Sequence, residues 1–167
     1  AKMKIWVIGL FLVLGAIMHW QLGISSAWFL YVVSGLILLM HLLMGNVMMS
    51  WQLLRSGQPA EADQLLDSVW QPDWLLPYHR AYYFFSKGLL SVQAGQEDKA
   101  VRLLSRALQL PLKPDQSRGL ALLNLAHLTL KKGERQIART YIQQLEKLEL
   151  NDLKIKDQVA HMKRQLD

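Results

Sequence analysis

The sequence predicts an all-α chain in two parts: a two-helix transmembrane hairpin, then an α-solenoid of about three helical hairpins closed by a capping helix. Three observations carry this. No Asp, Glu, Lys or Arg occurs between Ile5 and Leu54. Gly57, Gly95 and Gly133 recur 38 residues apart, and five residues after each stands Ala62, Ala100 or Ala138. Cysteine is absent, so no disulfide or Cys-based metal site holds the fold. The expected division is 1–48 for the hairpin and 49–167 for the repeats.

A helix rises 1.5 Å per residue and the hydrocarbon core is about 30 Å thick, so about 20 uncharged residues make one crossing. The charge-free run holds two, expected at about 5–20 and 28–48, with the turn at 21–26 where Gln21, Gly23, Ser25 and Ser26 interrupt the apolar pattern. Trp6, Trp20 and Trp28 fall near the expected span ends, as indoles at a membrane interface do. Lys2 and Lys4 before the apolar stretch, with Ser25-Ser26-Ala27 after it, leave a signal peptide as the rival reading. With those lysines on the cytoplasmic side, two crossings bring the repeat domain back to the cytoplasm, and the expected location is a bacterial inner (plasma) membrane, multi-pass.

His19 and His41 sit in or beside the expected spans. A haem or proton-relay role competes with neutral histidines at helix contacts, and the contact is favoured because the two lie at different depths in an antiparallel hairpin. Gly15, Gly35 and Gly45 are expected to let helices approach closely. The apolar pattern runs on from the second span through Trp51 to Gly57 without a breaker, so one continuous helix is expected to enter the first repeat.

Within the repeats, glycine ends the first helix of each hairpin and small residues at fixed offsets let the pair close. Gly88 and Ala126 stand seven residues before Gly95 and Gly133, and Ala107 stands twelve after Gly95. Apolar residues at helical spacing, Leu103, Leu104 and Leu108, then Leu122, Leu125 and Leu128, give each hairpin one face that only stacking buries. On these residues the chain resembles the tetratricopeptide repeat (TPR) family. The resemblance spans about 120 of 167 residues, connections and cap included, with its units at 46–69, 81–110 and 119–148. Leu145 stands where the family has alanine, and the 38-residue spacing exceeds the family's usual 34, the excess being assigned to connections at 71–77 and 111–115. Residues 152–166, charged and apolar at helical spacing, form the expected capping helix, and Pro114 with Asp115 marks a helix start.

The resemblance implies a concave groove lined by the first helix of each hairpin, here Tyr82, Phe85, Ser86 and Leu89 from one repeat and Leu120, Leu123, Asn124 and His127 from the next. Tyr78, Tyr82, Tyr83, Phe84 and Phe85 spread over more than one helix face, so part of that cluster belongs in the core. The family's basic, Asn-rich clamp for a carboxylate terminus is not reproduced, and an apolar or aromatic segment suits the groove better.

Acidic and basic residues interleave, 13 against 19 for a net charge of +6, which reads as solvated helix faces and not as a nucleic-acid surface. No phosphate-cradling loop, metal-ligand pair or nucleophile–base arrangement is visible, so no enzyme, no cofactor and no small-molecule substrate are expected. The expected role is a membrane-anchored scaffold for protein partners, membrane proteins or their cytoplasmic segments, in assembling a membrane complex. The alternative is a permanent accessory subunit of a transporter, secretion or respiratory complex.

Overall fold

A computed structural model describes residues 9, 13, 16, 17, 19, 20, 24–44, 46–148 and 153–166. Its regular elements among these are helices: α1 (Ile24–Met44), α2 (Val47–Arg55), α3 (Pro59–Asp67), a 3-10 turn (Pro72–Trp74), α4 (Pro77–Gln93), α5 (Glu97–Leu108), α6 (Asp115–Lys131), α7 (Arg135–Glu146) and α8 (Leu153–Leu166). The chain divides into two compact units, Ala1–Asn46 and Val47–Asp167.

Among the described residues no helix is long and apolar enough to cross a membrane. This overturns the transmembrane hairpin, and with it the multi-pass inner-membrane location. The first expected span, 5–20, lies largely outside the described residues. The second, 28–48, is not one helix: α1 ends at Met44, a turn stands at Asn46, and α2 starts at Val47. The expectation counted missing charge, but an uncharged run makes a crossing only if it stays both helical and apolar. Here Ser25, Ser26, Ser34, Gly35 and His41 fall within α1 itself. The same break corrects the continuous helix expected through Gly57.

In the first unit, Ser34 Oγ donates to the Leu30 carbonyl at 2.8 Å, satisfying the hydroxyl within its own helix. His19 meets Tyr31 edge to face at 6.3 Å. Among the described residues a Cβ at Gly35 would meet nothing within 4 Å. Gly15, Gly45 and the His41 side chain lie outside the described residues.

The second unit is three helical hairpins, α2–α3, α4–α5 and α6–α7, followed by α8. Each turn is built the same way. Gly57, Gly95 and Gly133 have φ of 79°, 69° and 79°, a region open to glycine but strained for other residues. Around them the chain closes paired bonds: Gln58 N to Leu53 O and Gly57 N to Leu54 O, with Gln96 to Ser91 and Gly95 to Val92, then Glu134 to Thr129 and Gly133 to Leu130, repeating both. These are Schellman motifs, which satisfy the last carbonyls of a helix.

The 38-residue register extends into the packing. Ala62, Ala100 and Ala138 are fully buried, and so are Leu66 and Leu104, with Ile142 2% exposed in the same place. Seven residues before each glycine stand Ser50, Gly88 and Ala126, the small residues at the crossing. At Gly88 an added Cβ would lie 2.7 Å from Leu104 Cδ2, so α4 and α5 touch there through the missing side chain. Ser50 fills that place in the first repeat, its hydroxyl turned back to the Val47 carbonyl at 2.6 Å.

The first helices of the second and third hairpins start at Pro77 and Asp115, where the expected connections 71–77 and 111–115 end. Both run 17 residues against 12 for their partners. Pro77 at the first helical position and Pro114 at the N-cap permit these starts, because proline's missing N–H is not needed there.

Acids on one hairpin pair with lysines on the next. Lys131 bonds Glu97 and Lys132 bonds Asp98, from the end of α6 to the start of α5. Lys87 of α4 reaches Asp63 at 2.6 Å and Asp67 at 2.5 Å on α3. Burial disfavours the Lys87 cation, but the two carboxylates outweigh it and raise its pKa. The helix α8 inserts Ile155, Met162 and Leu166 against α6 and α7, and Arg139 Nη2 donates to the Leu166 carbonyl at 2.9 Å.

Candidate functional site

The eight residues expected to line a groove separate into two groups. Tyr82, Phe85 and Ser86 are 1%, 0% and 0% exposed and offer no surface. The cause is Trp51 of α2, whose ring lies 5.9 Å from Tyr82 and 5.0 Å from Phe85 and covers that face of α4. Tyr82 Oη donates to the Lys113 carbonyl at 2.5 Å and lies 3.1 Å from Ser117 Oγ, tying α4 to the start of α6. Burial pushes its phenol pKa up, opposed by the Ser117 bond. Leu89 and Leu120 are half-buried at the margin of the same core.

The remaining three, Leu123, Asn124 and His127, line a cavity of about 530 Å³ between α6 and α8, together with Asp157, Gln158, His161 and Met162. Its floor is apolar: Leu123 is 8% and Met162 5% exposed. Its rim is polar and largely uncommitted. Asn124 Nδ2 donates to the Leu120 carbonyl at 2.7 Å, one turn back, which holds the amide with its oxygen available. His161 Nε2 lies 3.2 Å from Gln165 Nε2 and accepts from that amide, leaving Nδ1 as the ring's donor. Asp157 and His127 are exposed and, among the described residues, take part in no ion pair or hydrogen bond.

The floor accepts an aliphatic side chain, Asp157 and Asn124 accept hydrogen bonds, and Gln158 and the imidazoles donate them. Among the described residues no group of three His, Cys, Asp or Glu side chains could hold a metal ion. A volume of about 530 Å³ falls within the range of about 300–1,000 Å³ common to ligand sites.

The half of the site on α8 was not foreseen from sequence, where that helix figured only as a cap. A signal was present. Ile155, Met162 and Leu166 recur at i, i+7 and i+11, a stripe that must be buried on something, and α6 and α7 were the neighbours available to receive it.

Comparison with known proteins finds no family model, no curated protein and no solved structure that matches the chain.

Proposed function

We propose that the chain is a TPR-like adaptor that binds a segment of a partner protein in the groove between α6 and α8. The observation that carries this is the contrast within the repeat. The face of α4 is sealed by Trp51, whereas the corresponding face of α6 keeps an apolar floor open under unpaired polar groups. A cavity whose rim carries uncommitted donors and acceptors suits a peptide, which brings backbone groups needing partners along with its side chains.

The test is photo-crosslinking in the native cell from a benzophenone side chain placed at Asn124, with Gln136 on the exposed face of α7 as the control. Discrete adducts from position 124, absent from position 136 and lost when His127→Trp fills the groove, are the expected result. Equal adducts from both positions, or adducts indifferent to His127→Trp, contradict the proposal.

A further inference from the structure

A second surface lies away from the groove, on the connection between α3 and α4. Trp70 is 81% exposed and Trp74 56%, and their rings meet edge to face at 5.9 Å. Leu76 beside them is 40% exposed. Large apolar side chains gathered on a surface mark interaction sites, and tryptophan is the residue most enriched among binding hot spots.

This connection is held, not loose. Leu75, between the exposed residues, is anchored in the core at 3% exposure. The 3-10 turn closes with Trp74 N to Gln71 O and Leu75 N to Pro72 O, both 3.2 Å. Asp73 is clamped from two helices: Arg106 Nη2 bonds its carboxylate at 2.7 Å and Arg80 Nη1 donates to its carbonyl at 3.3 Å. The Arg106 guanidinium in turn stacks 4.1 Å above the Phe84 ring. The two indoles are therefore presented in a fixed geometry, which lowers the ordering penalty of binding.

The hydrogen-bond inventory narrows the occupant. Each indole brings one N–H donor and no acceptor, and among the described residues neither donor meets an acceptor. The carboxylate within the patch, Asp73, is neutralised by Arg106. The two indoles thus favour ring stacking and carbonyl oxygens in whatever lies on them. A helix spends its carbonyls internally. A polyproline II segment leaves its carbonyls solvated, has few N–H groups, and stacks its rings on aromatic faces. We propose that the Trp70–Trp74 surface binds a proline-rich extended segment of a partner protein.

The test uses the full chain labelled with 5-fluorotryptophan, whose six tryptophans give separate fluorine resonances, with Trp70→Phe and Trp74→Phe supplying assignments. Decaproline is titrated in, against a glycine–serine peptide of equal length and against phosphatidylcholine vesicles. The expected result is a saturable shift of the Trp70 and Trp74 resonances with Kd below about 1 mM, weakened at least about tenfold by Trp70→Ala. Both side chains are exposed, so circular dichroism of that variant should match the parent. No shift with decaproline, the same shift with the glycine–serine peptide, or a response to vesicles alone overturns the proposal.

Discussion

The first helices of the second and third hairpins occupy the same register and end differently. Phe85 and Leu123 correspond, as do Ser86 and Asn124, and Leu89 and His127, each pair 38 residues apart. On α4 Phe85 lies buried under Trp51, Ser86 is buried and Leu89 is half-buried; on α6 the three positions line the groove. The lesson is that repeat position alone does not make a binding face. What decides is the next layer: Trp51 of α2 lies on α4, whereas α8 packs against α6 with the groove left between them.

The largest expected effect breaks this comparison if it is absent. Phe85→Ala should destabilise the repeat unit by about 3–5 kcal/mol, since it empties a fully enclosed site, while Leu123→Ala should cost only about 2 kcal/mol because solvent already reaches that floor. Urea denaturation of both variants checks it, and equal losses would mean that the two faces are equally closed.

A smaller effect sharpens the comparison at the helix crossing. Gly88→Ala should cost about 1–3 kcal/mol, because the new methyl would meet Leu104 Cδ2 at 2.7 Å and the Leu104 backbone nitrogen at 3.3 Å. The third hairpin already carries Ala126 in this position. A double-mutant cycle with Leu104→Val should recover part of the Gly88→Ala loss, and full additivity would place the strain elsewhere.

The smallest effect concerns pH. His79, at the start of α4, is 8% exposed and its Nδ1 has no partner. Burial disfavours the cation and lowers its pKa from 6.5, so below 6.5 the unfolded chain binds a proton that the folded chain resists. Its contribution is neutral above 6.5, and stability falls as pH drops below it. His79→Gln should flatten that fall, as read by denaturation midpoints on either side of 6.5.

The parts of this fold legible in the sequence are those fixed by local chemistry. A glycine at positive φ and an alanine at a helix crossing are needed whatever packs nearby, so Gly57, Gly95, Gly133 and their alanines stand out at their spacing. The capping helix was legible for the same reason, from the period of its apolar residues. Charge absence was a poor guide in the first unit, because it reports composition and not helix continuity, and the break between Met44 and Val47 falls inside the charge-free run. The resemblance assigns the first helix of each hairpin to a groove, which placed Tyr82, Phe85 and Ser86 on a surface although the helix carrying Trp51 was already expected to open the first repeat. The four α8 residues in the groove depend on a tertiary contact between α6 and α8; the stripe of Ile155, Met162 and Leu166 signals that α8 is buried on something but not on which helix.

Thiol labelling tests the central contrast most directly, since the chain contains no cysteine. Ser86→Cys and Asn124→Cys place a probe at the same repeat position on the sealed and the open face. The account predicts that position 124 labels at nearly the rate of a free thiol, while position 86, reached only when the core opens, labels at least about a hundredfold more slowly. Comparable rates at the two positions would contradict it.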